Sequence, residues 1–362
     1  MELLGPSHAV ELLGRENAEL GGGVRDATRM TFSLQERRRL EQAIDYFRPD
    51  VVHLHNAYPS LGPAVHLASA KHRVPLVMTV HNFRLRCPNG VMFTEGQQCG
   101  RCEGGAYLNA IVHQCFPSHS QSTAYATALW AHRFLLKLED KVTLFIAPSN
   151  FTRDRLLDWG IPPAKTEMIR NFTALGDFCR ERGSFGMYLG RLSGEKGLDI
   201  LLRALSAAGD PPFLIVGDGP LENALSNLVS ELRLRRTELM GRLKPDQVAA
   251  LIRRARFMTF SSLWDENAPL AALEAMAAGR PLLVTKRGGL PELVERGEGL
   301  MCAADDVDDM AAKIRRFMEN DKLCSEAGLR ARARAEAELG PDLHRDRLES
   351  AYERAVALGP AS

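Results

Sequence analysis

The stretch SSLWDENAPLAALEAMAAGRPLLVTKRGGLPE, from Ser261 to Glu292, holds two carboxylates eight residues apart, Glu266 and Glu274. The apolar run before it ends at Ser261-Ser262, so Glu266 falls in a loop beyond a strand. Pro269 stands where a first helical turn begins, since proline is preorganised for that position. Glu274 then lies one and a half turns into the helix, and both acids can face one cleft as acceptors for vicinal hydroxyls. In the turn Asn267-Ala268-Pro269-Leu270 the free amides near residues 268–270, proline having none, form a donor cluster suited to sugar hydroxyls or phosphate oxygens. Taken alone, the pair also reads as a dipole partner plus a solvated helix glutamate.

A second group lies in GRLSGEKG, residues 190–197. Arg191 and Lys196 flank a turn after a buried strand and can converge on a diphosphate, Arg as a fork and Lys as a point charge. Such a pair stabilises charge that develops when a bond to the diphosphate breaks. Alone, it reads as a turn with surface cations. Further upstream, alternation puts His53 and His55 on one side of a strand; the first reads as packing and the second as a cleft edge. His81 ends the next strand.

Cys87, Cys99, Cys102 and Cys115 make a separate pattern, a C-x2-C flanked by single cysteines about a dozen residues away, which is zinc-site spacing. Structural zinc, reduced thiols, an iron–sulfur cluster and disulfides all remain open for it. Cys179, Cys302 and Cys324 read as incidental.

The elements that must position these groups are short apolar runs, each followed by an amphipathic pattern. The runs begin near residues 50, 75, 144, 186, 212, 257 and 281; helical patterns occupy 198–208, 221–234 and 271–278. Continuous runs of this kind fit parallel strands covered on both faces, hence an α/β fold whose ligands bind beyond the strands' carboxyl ends. Residues 172–185 have no period and read as a linker. After about 305 the chain is helical and polar. The first strand-like stretch, Ala9–Gly14, leads into polar sequence, and Gly21-Gly22-Gly23 reads as a flexible loop, so an opening strand with a Gly-rich turn is missing.

The 362 residues carry 46 Lys+Arg against 45 Asp+Glu, a net charge of +1, so no bulk field draws the chain to nucleic acid or lipid. Aromatic residues at 7% give nucleic-acid binding no support. No run approaches the roughly 20 apolar residues of a membrane span. The start lacks a basic lead and does not read as a secretion signal. The seven cysteines are an odd number in a chain too long for a disulfide scaffold. A cytoplasmic protein is expected.

GRLSGEKG, VGDGP, the strand ending Gly241-Arg242-Leu243, the Glu266/Glu274 spacing and GGLPE occur in the order in which they occur in the GT4 family of retaining glycosyltransferases, and the chain resembles that family over about residues 8 to 355. The resemblance implies GT-B architecture, two Rossmann-like domains facing each other across a cleft. Residues 1–175 would form an acceptor-side domain with a cysteine-containing insertion at 84–120. Residues 183–340 would bind the nucleotide sugar, and 341–362 would form a helix crossing back to the first domain. By the same likeness Glu266 holds donor-sugar hydroxyls, Glu274 the ribose, and Arg191 and Lys196 the diphosphate. Backbone at Arg242-Leu243 borders the base, and His81 looks toward the reacting centre. Catalysis needs no divalent metal. The implied reaction moves a hexosyl group from a UDP- or GDP-sugar to a hydroxyl of a glycan or lipid-linked acceptor, in polysaccharide or glycoconjugate synthesis. The alternative is a nucleotide-sugar-binding or scaffold protein without catalysis. Relatives carry Gly-Phe where this chain has Asn267-Ala268. A subgroup carries a similar CPNG…C-x2-C…C insertion. Arg37–Arg39 with Arg84 and Arg86 would attract a lipid-diphosphate acceptor at the inner membrane face; solvated helix faces are the alternative. A nicotinamide dehydrogenase would need a Gly-x-Gly-x-x-Gly after a strand, which is not found.

Overall fold

A computed structural model describes residues 3–14, 31–56, 58, 60–176, 178 and 183–361. The chain divides into two compact units, Met1–Ile169 with Arg345–Ser362, and Arg170–His344. Each has its own parallel sheet.

In the first unit, helix α1 (Leu34–Phe47) is capped by Ser33, whose hydroxyl accepts from Glu36 N at 3.2 Å. Strands β1 (Val52–Leu54) and β2 (Leu76–Thr79) flank helix α2 (Ala64–His72). A short hairpin, β3 (Phe93–Thr94) and β4 (Gln97–Gln98), and helices α3 (Leu108–Val112) and α4 (His119–Trp130) fill the insertion. Strand β5 (Leu144–Ala147), helix α5 (Asn150–Asp158) and strand β6 (Thr166–Met168) follow. The sheet order is β1-β2-β5-β6, all parallel. Leu76 and Val77 are both fully buried on opposite faces of β2, which is why the run reads as continuous rather than alternating. One face packs on α1, α2 and α5. The other packs on Leu348, Ala351 and Ala355.

The second unit holds β7 (Gly186–Leu189), α6 (Leu198–Ala207), β8 (Phe213–Val216), α7 (Glu222–Glu231), β9 (Thr237–Gly241), α8 (Pro245–Arg254), β10 (Phe257–Phe260), α9 (Leu270–Ala277), β11 (Leu282–Thr285) and β12 (Gly299–Cys302). Helices α10 (Val307–Glu319) and α11 (Asp321–Glu338) follow, and α12 (Pro341–Leu358) runs into the first unit. The six strands are parallel in the order β12-β11-β10-β7-β8-β9. Apolar clusters cover both faces. Gly217 has φ +140° and a Cβ there would stand 1.9 Å from Gly190 O, so only glycine lets the turn after β8 lie against the turn after β7.

All seven expected strands form. Ala9–Gly14 does not: it carries no regular structure, because its polar neighbours offer no second face to bury. Gly21–Gly23 and Cys179 lie outside the described residues. Among those residues no helix is long and apolar enough to cross a membrane.

Candidate functional site

The strand order of the second sheet reverses beside β7. Strands β8 and β9 are laid down on one side of it, β10, β11 and β12 on the other. Loops leaving two adjacent parallel strands at such a reversal part company and open a crevice at the carboxyl edge. The loops that do so are 190–197, after β7, and 261–269, after β10.

They meet at an ion pair. Lys196 Nζ donates to Glu266 Oε1 at 2.5 Å, and Ser262 Oγ donates to the same oxygen at 2.6 Å. The ammonium also lies 5.0 Å from the Trp264 ring centre, a cation–π contact. Glu266 is buried, and its loop is clamped from both flanks. Ser261 Oγ donates to Lys196 O at 2.8 Å and Leu263 N to Glu195 O at 2.8 Å. From the far side Gly289 N donates to Glu266 O at 2.6 Å and Gly288 N to Asp265 Oδ1 at 3.0 Å. Gly197, at φ +63°, permits the approach, since a Cβ would stand 2.3 Å from Ser261 O. The carboxylate is therefore set in place by backbone before any ligand arrives.

Arg191 is exposed and shares a different hollow, of about 510 Å3, with Arg242, Asp218, Gly217 and Gly219. Tyr188, almost fully buried, donates to Arg191 O at 3.0 Å and fixes the turn. Glu274 is exposed on α9, with desolvation raising its carboxyl pKa. The structure thus joins Lys196 to Glu266 and Arg191 to Arg242. Pro269 takes the cap position with extended ψ of 124°, so α9 begins one residue later than the spacing predicts, at Leu270. Asn267 is buried, Ala268 O accepts from Asn171 Nδ2 at 3.3 Å, and Leu243 packs against the core. Ser262, Trp264 and Tyr188 escape sequence reasoning; a hydroxyl four residues before Glu266 was the available signal.

In the first unit His53 bridges Tyr352 Oη (2.7 Å) and Thr79 Oγ1 (2.8 Å), a packing role. His55 Nδ1 lies 2.9 Å from His81 Nε2 at the ends of β1 and β2. Desolvation, reinforced by His55, brings the His81 pKa down to about 4.

His66, on α2, is 4% exposed, and burial brings its pKa down to about 3. An unfolded chain binds a proton at this ring below its ordinary value near 6.5, whereas the native chain does not. Stability is therefore complete above that value and falls by about 1.4 kcal/mol per pH unit as pH drops toward 3. Urea unfolding of wild type and His66→Gln between pH 7 and 5 is expected to show a shallower loss in the variant; parallel curves refute this.

The four cysteines line one hollow of about 10 Å3, but the expected zinc ligand set is not assembled. Among the described residues no three His, Cys, Asp or Glu side chains are placed to hold a metal ion. The sulfurs have local partners instead. Cys87 Sγ donates to Asn89 Oδ1 at 2.9 Å, and Cys115 Sγ donates to Thr94 Oγ1 at 3.9 Å. Burial raises Cys87 and Cys115 and, with the neighbouring thiols, pushes Cys102 up to about 12. All four are free of disulfides.

Three of the basic groups are spent internally. Arg86 pairs with Glu139 and donates to Trp159 O at 3.0 Å. Arg84 stacks on the Tyr58 and Tyr125 rings, and Arg37 donates to Glu41 at 2.8 Å. Of the cations expected to attract a lipid diphosphate, Arg37, Arg84 and Arg86 are thus engaged by protein groups, whereas Arg38 and Arg39 are exposed on α1.

Comparison with known proteins gives two family matches. Residues 180–334 match the Glycosyl transferases group 1 family, and residues 21–175 match Glycosyltransferase Family 4. A glycosyltransferase of Methanocaldococcus jannaschii is 34% identical over 141 residues, 39% of this chain and 40% of that one. The glycogen synthase of Mycobacterium tuberculosis is 30% identical over 300 residues, 80% of this chain and 64% of the synthase. The chain thus spans about two fifths to just under two thirds of these relatives. The structure of Anabaena HepE in complex with UDP superposes with a TM-score of 0.64 at 19% identity, covering 88% of this chain and 81% of that one. That likeness establishes a GT-B type α/β fold.

Proposed function

The chain belongs to the group 1, family 4 glycosyltransferases, and from that premise we propose that it moves a hexosyl group from a UDP- or GDP-sugar to a hydroxyl of a glycan or lipid-linked acceptor, with retention at the anomeric carbon. The observation that carries the reading is the Lys196–Glu266 pair at the strand-order reversal. An ammonium has three protons to donate, and one is spent on Glu266. The other two remain for a diphosphate oxygen, and the Glu266 carboxylate accepts from a sugar hydroxyl. Arg191 and Arg242 add a guanidinium pair for the rest of the diphosphate and the base edge. As the anomeric carbon–oxygen bond to the diphosphate breaks, these cations stabilise the charge left on the departing oxygens. The acceptor oxygen bonds to the anomeric carbon on the same face, and its proton passes to the departing diphosphate. No divalent metal takes part in this scheme. The reaction is placed in the cytoplasm.

The names of the relatives support a sugar-transferring role, and the UDP complex of HepE supports a nucleotide-linked donor. The test is to measure nucleotide release from a panel of UDP- and GDP-sugars, with and without chelator. Arg191→Ala is expected to lower turnover by about a hundredfold, and Glu274→Ala to raise the donor KM. Unchanged turnover in both variants ends the assignment. Donor binding by calorimetry without release from any donor identifies a binding protein instead.

A further inference from the structure

The first unit holds a largely apolar hollow with a few polar side chains on its wall, His55 and His81 among them. It lies at the carboxyl ends of β1 and β2, with a volume of about 40 Å3, room for about three water-sized groups. His66 lines it, and its buried Nδ1 has no hydrogen-bond partner. A buried ring nitrogen without a partner costs free energy that a bound polar group returns.

Tyr58 and His132 line the same hollow. His132 Nε2 lies 3.0 Å from Thr31 O. A carbonyl only accepts, so this nitrogen carries the proton, and Nδ1 accepts from the Tyr58 hydroxyl. The phenol oxygen keeps lone pairs for a donor in the hollow. Burial lowers His66 to about 3 and raises the Tyr58 phenol, so both stay uncharged near neutral pH. The cations at the edge have protein partners. Arg84 donates to Pro88 O at 3.1 Å between its two tyrosine rings. Arg133 donates to Glu103 O at 2.9 Å. Glu139 holds Arg86. Neutral donors and acceptors with engaged cations favour hydroxyls over phosphate or carboxylate. A hydroxyl both donates and accepts, and so satisfies His66 Nδ1 in either tautomer; a phosphate dianion only accepts.

We infer that this hollow receives the hydroxyl-bearing end of an uncharged sugar acceptor, with His66 Nδ1 and Tyr58 Oη contacting its hydroxyls. The inference rests on the transferase reading and adds to it the chemical class of the acceptor.

Two measurements on the full chain test it. In long-range proton–nitrogen spectra of the histidine rings, with His66 assigned from the His66→Gln variant, the probes are the methyl α-glycosides of glucose, mannose and galactose, and inorganic phosphate. A glycoside is expected to shift the His66 Nδ1 resonance and phosphate to leave it in place. With a donor the wild type accepts, His66→Phe is expected to raise the glycoside KM about tenfold, with His66→Gln between the two and slow donor hydrolysis by water unchanged. The inference is overturned if no glycoside moves the resonance, if phosphate alone moves it, or if His66→Phe leaves the glycoside KM where it was. Failure of the donor reading looks different, as no nucleotide binding or hydrolysis in the wild type, and the ring resonances still report on the hollow in that case.

Discussion

Lys196→Met is expected to lower kcat/KM for nucleotide release by about 10²–10³-fold, the loss that follows removal of one preorganised charge-stabilising donor. The same substitution also removes the partner of Glu266, whose side chain is 7% exposed against 19% for Lys196. A buried carboxylate left without its cation costs about 3 kcal/mol of stability, so a slow enzyme and a damaged fold could be confused. The double variant Lys196→Met, Glu266→Gln, compared with Glu266→Gln alone to set the turnover lost with the carboxylate, separates them. It removes the uncompensated charge, and unfolding midpoints should recover most of the loss while turnover stays low. Restored turnover in the double variant would show that Lys196 acts only through the loop.

The second large effect lies away from the site. Arg334, buried on α11, donates from Nη1 to Glu298 Oε1 at 2.8 Å and to Glu292 O at 2.7 Å, and from Nε to Glu338 Oε2 at 3.1 Å. Glu298 is 1% exposed. Arg334→Met is expected to destabilise the second unit by about 3–5 kcal/mol, because it strands the Glu298 charge in the interior. Adding Glu298→Gln should return a large part of that in a urea titration. If the single variant unfolds like wild type, the network contributes no stability.

The parallel strands were legible because burial on both faces writes an unbroken apolar run, as in Leu144–Ala147 and Leu282–Thr285. Strand β6, Thr-Glu-Met, and strand β12, Gly-Leu-Met-Cys, are sheet members without that run, held by β5 and β11 respectively. The cations and acids of the second unit could be named from type and spacing, but not which would touch. That depends on strand order, and nothing local records that β10 pairs with β7 while β8 takes its other side. The cysteine spacing likewise specifies neighbourhood and not ligation: the thiols gather, yet Asn89 and Thr94 engage two of them. The His66 hollow was invisible because its members come from residues 55 to 142, and a lone histidine in an apolar helix stretch reads as packing.

Helix α12 has a consequence for the order in which the protein is made. Its Leu348, Ala351 and Ala355 cover Val77, Leu144 and Ile146 of the first sheet, yet they leave the ribosome after the whole of Arg170–His344. The second unit can close around its own core while translation continues. The first must wait with one side of its sheet bare, a period in which apolar strands are open to aggregation and to chaperones.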